Sequence, residues 1–137
     1  MRQATDADYS TIRTAVKRLY LSSAVPWMKF SDLGKAMVSI AEWLSAGDVW
    51  IVGDYAVIAT VGTMWSSSAL MVFEHLVIRV TNTEKNPIST VTDFLKALCI
   101  TEGCAAVVVG DTQRGLMTPV YEQAGFVPLG TQLMWSP

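Results

Sequence analysis

The sequence has few charged residues and no large excess of charge of either sign. Only 16% of its 137 residues are charged, against about 25% in typical soluble domains, and the formal net charge is −2. A protein that mainly binds nucleic acid needs a basic surface, so this composition argues against that role. Hydrophobic residues make up 51% of the chain. Such a high share favours a large core together with apolar surface that a partner or an assembly covers.

Cysteine, histidine and long apolar runs are scarce as well. Cys99 and Cys104 are the only cysteines, and they form no C-x-x-C motif. Because His75 is the single histidine, we expect no metal site, and we expect both thiols to be reduced and buried. The longest apolar run, 69–80, is interrupted by charged residues and is shorter than the roughly 18 residues of a membrane-spanning helix. The N-terminal residues lack the apolar segment of a signal peptide, so we expect a cytoplasmic protein.

The spacing of apolar and turn-forming residues predicts one domain over residues 1–137. A short N-terminal strand and two helices are expected before Gly47, which should end the second helix. The strand and turn patterns over residues 49–80 then predict three strands joined by short turns. Connections this short predict an antiparallel meander.

The second half of the chain is predicted to alternate helices and strands. Asn86 and Pro87 are expected to open a helix. The strand predicted at 105–109 is apolar on both faces, so we expect it to follow a helical crossover and to be covered on both sides. A short helix follows, and then one long or two short strands within 126–135. The predicted order is β-α-α-β-β-β-α-β-α-β.

The segment 104–126 contains that apolar strand, a polar turn and a short helix that ends in Tyr121-x-x-x-Gly125-Phe126. Together with the order of elements along essentially the whole chain, it resembles the GNAT acyltransferase superfamily. The resemblance implies an α/β (α+β) fold whose mixed, mostly antiparallel central sheet is flanked by helices. It also implies transfer of an acetyl group from acetyl-CoA to an amine of a small molecule or a protein, with Tyr121 protonating the departing thiolate. The chain is also similar to short, divergent GNAT-like proteins that tailed phages encode. If this protein is phage-encoded, the resemblance implies a virion-associated location in place of the cytoplasm.

The resemblance further implies a bulge in the central strand, with Glu74 just before it as general base. Strict alternation would place Glu74, Leu76 and Ile78 on one face of that strand and Phe73, His75 and Val77 on the other. A bulge would shift this register by one residue, so either Glu74 or His75 is expected to face the site. Each residue also has a purely structural interpretation. Glu74 would be a strand carboxylate paired with a Lys or Arg, His75 a partly buried side chain with its hydrogen bonds satisfied, and Tyr121 a residue that packs on its helix.

The resemblance implies CoA binding by Leu76, Val77, Ile78, Arg79, Lys85 and Asn86. Backbone amides near Val77 and Ile78 would hold the thioester oxygen, and Arg79 and Lys85 would supply positive charge. The loop 80–89 departs from the glycine-rich pattern of the family, because it contains no glycine. Asn86 would cap the helix amides that a phosphate needs, and Pro87 has no amide hydrogen. We therefore expect CoA to bind more weakly, by a few orders of magnitude, than a glycine-rich loop would allow.

Two functions remain open from the sequence. One is a GNAT-like N-acetyltransferase with a divergent pyrophosphate loop, in which Glu74 is the base and Tyr121 the acid. The other is a catalytically inactive GNAT-fold interaction or assembly protein, such as a phage structural component. The apolar composition, the glycine-free loop and the short C-terminal region favour the second function. A shortened last hairpin would leave a sheet edge open to a second copy or an assembly partner.

Overall fold

A computed structural model describes residues 1–22, 31–83, 87–110 and 117–130, together with Leu133, Trp135 and Pro137. A 3-10 turn lies at Asp6–Asp8, and the other elements in chain order are β1 (Arg2–Gln3), α1 (Tyr9–Leu21), α2 (Leu33–Ala46), β2 (Val49–Val52), β3 (Tyr55–Gly62), β4 (Met71–Arg79), α3 (Ser89–Thr101), β5 (Ala106–Val108) and α4 (Thr118–Gln123). The strands form one sheet in the order β1-β2-β3-β4-β5. All neighbouring strands are antiparallel except β4 and β5, which are parallel. The predicted mixed, mostly antiparallel sheet is confirmed.

Two hydrophobic cores lie on opposite faces of this sheet. Successive side chains of a strand point to opposite faces, so the neighbours Val57 and Ile58 on β3 belong to different cores. Helices α1 and α2 cover the face of Ile58, and α3 and α4 cover the face of Val57. The sheet is therefore the middle of three layers, and polar groups on β4 can be approached from either side.

The first half of the chain folds as its sequence predicts. The Asp32 carboxylate accepts a hydrogen bond from the Lys35 amide at 3.1 Å and caps the start of α2. Gly47 ends the helix with φ +81°, a conformation that strongly favours glycine. The Gly53–Asp54 turn then joins β2 to β3, and the three strands β2, β3 and β4 form the predicted antiparallel meander.

Several boundaries differ from the prediction, and two of them have a clear reason. The sequence pattern predicts that the second strand of the meander runs over 55–65, but β3 ends at Gly62, three residues before Trp65, whose side chain is 97% exposed and has no core to enter. Helix α3 begins at Ser89, two residues after Pro87. A turn leads into the helix, in which the Thr90 amide and hydroxyl both donate to the Pro87 carbonyl, at 3.0 and 2.8 Å. The expected cap, Asn86, lies outside the described residues.

The C-terminal part differs more. Ala106 on β5 is exposed and Val107 and Val108 are only partly buried, so the expectation of a strand covered on both sides is wrong. The physical reason is that β5 is short and, in the part of the chain that the structure describes, pairs only with β4. Residues 126–130 form no strand, and most of the last strand predicted within 126–135 lies outside the described residues. Within the described ranges, no helix has both the length and the apolar character needed to cross a membrane.

Candidate active site

Strand β4 contains a β-bulge at His75. On β3, Ile58 lies opposite Leu76 and the next residue, Ala59, lies opposite Glu74, so His75 is the extra residue of the ladder. The bulge predicted near Glu74 is therefore present. An extra residue sends the side chains that follow it to the other face of the sheet.

The bulge divides β4 into two halves of opposite phase. Before it, Val72 and Glu74 face the layer of α3 and α4; after it, Val77 faces that layer, and Leu76 and Ile78 face α1 and α2. The strict alternation that grouped Glu74 with Leu76 and Ile78 is therefore wrong across this point. As a result, Glu74 and His75 are neighbours in the chain but serve opposite faces of the sheet.

Glu74 and Tyr121 meet on the α3 and α4 side. The Tyr121 phenol donates a hydrogen bond to Glu74 Oε2 at 3.1 Å, and the Gly110 amide approaches the same oxygen at 3.4 Å. Tyr121 is buried, and Glu74 is half-buried. The two residues that sequence reasoning nominated as base and acid thus lie in direct contact.

The Gly-Phe corner after α4 holds Tyr121 in place. Gly125 follows the helix with φ +92°, which turns the chain back so that the Phe126 amide donates to the Tyr121 carbonyl at 3.0 Å. The Phe126 ring then packs on the Tyr121 ring with centroids 5.4 Å apart. The Tyr-x-x-x-Gly-Phe pattern therefore positions the phenol through backbone geometry and ring packing.

The Glu74–Tyr121 pair lies where β4 and β5 stop pairing. Their parallel ladder begins at Met71 opposite Ala106 and ends at Phe73 opposite Val108, while β4 continues to Arg79. Glu74 is the first residue beyond the ladder, and its carboxylate contacts Gly110, two residues beyond the end of β5. Beyond this point the side of β4 that faced β5 is no longer paired within the described residues.

The residues nominated for cofactor binding fall into three groups. The side chains of Leu76, Val77 and Ile78 pack into the two cores, so only their backbone could meet a ligand. Arg79 donates to the Tyr55 phenol at 2.6 Å and to Asn82 Oδ1 at 3.1 Å, and its guanidinium lies over the Tyr55 ring. Lys85 and Asn86 lie outside the described residues.

Asp54 is a polar residue that sequence reasoning treated only as part of a turn. Its side chain is 1% exposed and accepts hydrogen bonds from the hydroxyls of Thr81 and Thr83, at 2.7 and 2.8 Å, and from the Thr83 amide at 3.2 Å. These bonds, that from Thr81 foremost, lower the pKa of the Asp54 carboxyl against the opposing effect of burial. No sequence signal separates this buried aspartate from the exposed aspartate of an ordinary Gly-Asp turn.

His75 has its own set of neighbours on the α1 and α2 side. Its ring stacks on Trp43 with centroids 5.1 Å apart, and Nε2 shares a hydrogen bond of 2.7 Å with the Thr60 hydroxyl. Partial burial lowers the pKa of His75, and the nearby Asp48 carboxylate opposes that shift. Burial likewise raises the pKa of Asp48. The structure thus gives His75 satisfied partners, as one of the two sequence readings expected.

No protein-family model matches the sequence, and no curated protein matches it either. Solved structures do match in shape. An integron cassette protein from the mobile metagenome of Cole Harbour Salt Marsh aligns over 99% of this chain and 88% of its own, with a TM-score of 0.71 and 18% identity. The aminoglycoside N-acetyltransferase AAC(6′)-Iy, in complex with CoA, aligns over 99% and 92% with a TM-score of 0.66 and 13% identity.

A predicted acetyltransferase from Clostridium acetobutylicum, solved with acetyl-CoA, is also similar. It aligns over 97% of this chain and 92% of its own, with a TM-score of 0.64 and 13% identity. At such low identity these likenesses establish the fold and nothing finer. The fold is that of the GNAT acetyltransferases, as the resemblance in the sequence implied.

Proposed function

We propose that this protein is an acyltransferase that moves an acetyl group from acetyl-CoA to an amine. The observation that carries the proposal is the hydrogen bond between Tyr121 and Glu74 at the end of the β4–β5 ladder. A carboxylate and a phenol in contact can move one proton from a nitrogen to a sulfur, which is the proton transfer that aminolysis of a thioester requires. Two proteins of the same fold bind CoA or acetyl-CoA, which supports a thioester as the donor.

In the proposed reaction, the amine nitrogen attacks the thioester carbonyl and forms the new C–N bond. The Glu74 carboxylate takes the proton that the nitrogen loses. As the C–S bond breaks, the Tyr121 phenol gives its proton to the thiolate sulfur and recovers one from Glu74 along their shared hydrogen bond. The products are an amide and a free thiol, and both side chains return to their starting state.

The developing negative charge on the carbonyl oxygen needs hydrogen-bond donors. We assign this role to backbone amides of β4 just after the bulge, near Val77 and Ile78. These residues lie beyond the end of the β4–β5 ladder, and their side chains are committed to the cores. Backbone donors held by a sheet need no rearrangement during the reaction, which is what makes such donors effective.

Thermal unfolding with and without millimolar acetyl-CoA tests the proposal before any acceptor is known. A ligand at about 100 times its Kd adds roughly 2.7 kcal/mol to the free energy of unfolding, which raises the Tm by several degrees in a domain of this size. Because the glycine-free loop weakens CoA binding, we expect a smaller but measurable rise, equal in the wild type and in the variants Tyr121→Phe and Glu74→Gln, since neither change removes backbone contacts. An unchanged Tm at millimolar acetyl-CoA would contradict the proposal that the protein uses acetyl-CoA as its donor.

Exposed apolar side chains near the C-terminus favour a second candidate function, a catalytically inactive interaction or assembly protein. Their exposed fractions are 75% for Val127, 77% for Leu129, 92% for Leu133 and 84% for Trp135. Apolar side chains clustered in this way along a chain are typical of surfaces that a partner covers. Mass measurement across a dilution series tests this candidate. A stable oligomer without a Tm response to acetyl-CoA would support it, and a monomer at every concentration would count against it.

A further inference from the structure

The loop that follows β4 converges its hydrogen-bond donors on a negative charge that belongs to the chain itself. Thr81 and Thr83 direct their hydroxyls to Asp54 Oδ1, and the Thr83 amide donates to Oδ2. The amides of Val80 and Thr81 donate to the Asp54 backbone carbonyl, at 2.8 and 3.2 Å. A loop that binds a phosphate needs donors of this kind pointing at the ligand. Here they are already used.

The charge of Asp54 adds a second obstacle to a phosphate at this place. The carboxylate is buried, and its hydrogen bonds lower its pKa, so it is ionised at neutral pH. A diphosphate that approached Thr81 and Thr83 would compete for the same donors and would face the negative charge of the carboxylate. The Asp54 carboxylate therefore opposes the binding of a diphosphate at Thr81 and Thr83.

Among the described residues near this loop, two further groups of donors are engaged or missing. Arg79 contacts Tyr55 and Asn82. At the start of α3, Pro87 has no amide hydrogen, and the Thr90 amide is spent on the Pro87 carbonyl. Helix N-termini bind anions through such amides, so neither Pro87 nor Thr90 offers one to a phosphate.

We propose that the enzyme recognises its donor by the acyl-pantetheine arm, with no contribution to the nucleotide from residues 79–83, and that acyl-pantetheine thioesters serve as well as acyl-CoA. The inference rests on the proposed function, because it assigns the thioester to the Glu74–Tyr121 pair. The arm lies along β4 beyond its ladder with β5, and the nucleotide diphosphate gains no contact with residues 80–83. The site thus selects a thioester with an extended amide-bearing chain.

Calorimetric titration of the wild type with CoA, with pantetheine and with adenosine 3′,5′-bisphosphate tests the proposal. We expect Kd values for CoA and pantetheine that agree within about threefold, and no binding of the bisphosphate. CoA binding at least about tenfold tighter than pantetheine would overturn the inference and leave the proposed function standing. Binding of neither thiol would overturn the proposed function and this inference with it.

The variant Asp54→Asn provides a second test, with Asp93→Asn on the exposed face of α3 as a matched control. Removal of the internal charge should tighten CoA binding several-fold and leave the Kd of pantetheine unchanged. The control variant should bind both thiols as the wild type does. A selective loss of CoA binding in Asp54→Asn would show that the carboxylate assists the nucleotide and would contradict the inference.

Discussion

Tyr121 on α4 and Glu74 on β4 lie 47 positions apart in the sequence, and the phenol donates to the carboxylate at 3.1 Å. The contact depends on two local features, the bulge at His75 and the left-handed Gly125 after α4. The bulge places Glu74 on the face of α4, and Gly125 turns Phe126 back against the tyrosine ring. The two residues to which the proposed function assigns the proton transfer are thereby held in direct contact.

Replacement of Tyr121 by phenylalanine should slow acetyl transfer by about 10²–10⁴-fold, because the thiolate loses its proton donor. The packing against Phe126 is kept, since only the hydroxyl is removed. Steady-state rates of thiol release and the Tm rise with acetyl-CoA would be measured together. Tyr20→Phe, a half-buried tyrosine on α1, is the matched control and should keep wild-type rates. Equal rates of acetyl transfer in Tyr121→Phe and the wild type would contradict the assignment of Tyr121 as the acid.

Replacement of Glu74 by glutamine should lower turnover by about 10²-fold or more and leave donor binding intact. The amide oxygen can still accept the hydrogen bond from Tyr121, so the positions of the two side chains are preserved, but the group can no longer take a proton. Single-turnover rates with saturating donor separate this effect from binding. Glu42→Gln on the exposed side of α2 is the control. A Glu74→Gln enzyme with normal single-turnover rates would require another base.

Replacement of Asp54 by alanine should lower the Tm by several degrees, because three donors from Thr81 and Thr83 lose their acceptor. Asp54→Asn should lower it less, since an acceptor oxygen remains. The pKa of Asp54 is lowered by folding, so its ionised form stabilises the protein above the ordinary value of 3.8.

The acid limb of the stability curve gives an independent check on Asp54. As the pH falls from 3.8 through the lowered pKa, the stabilisation by the charged form is lost. The difference in Tm between the wild type and Asp54→Asn should therefore be full at neutral pH and shrink in acid. A difference that stays constant from neutral pH down to strong acid would contradict an ionised, hydrogen-bonded carboxylate.

His75 should titrate below its ordinary pKa of 6.5, because partial burial favours the neutral ring. It is the single histidine of the chain, so its NMR resonances report this pKa without ambiguity. Asp48→Asn should lower the pKa further, since the Asp48 carboxylate favours the charged ring. Asp93→Asn, on the other side of the sheet, should leave it unchanged. A pKa that rises in Asp48→Asn would contradict the assigned neighbour.

The sign of the linked stability change follows from the same shift. A histidine whose pKa is lowered by folding binds fewer protons in the folded state than in the unfolded state. Its contribution to stability is present above pH 6.5 and is lost as the pH falls through the lowered pKa. His75→Gln should flatten the pH dependence of Tm in this window, and an unaltered slope would contradict the shift.

The sequence predicted much of the fold, because local signals determine it. Gly47 ends α2 as expected, and the short turns between β2, β3 and β4 leave an antiparallel meander as the natural pairing. The exposure of β5 was missed, since an apolar strand reads as buried whether or not a neighbour covers it. The exposure of a strand depends on which elements lie beside it, and local sequence patterns do not contain that information.

The site was predictable in part for the same reason. Glu74 and Tyr121 were nominated because a motif and a family resemblance pointed to them, and the structure brings them together. The faces of Leu76 and Ile78 were left open by the sequence, since the pairing of β4 with β3 decides where the extra residue of a bulge falls. Asp54 was overlooked because its partners, Thr81 and Thr83, lie far along the chain.

Acetyl transfer itself tests the account most directly. The wild type would be incubated with isotopically labelled acetyl-CoA and a panel of primary amines, and amide products would be detected by mass spectrometry. We expect a labelled amide whose formation depends on Glu74 and on the Tyr121 hydroxyl. Binding of acetyl-CoA without any amide product, or equal product from the Glu74→Gln, Tyr121→Phe double variant, would contradict it.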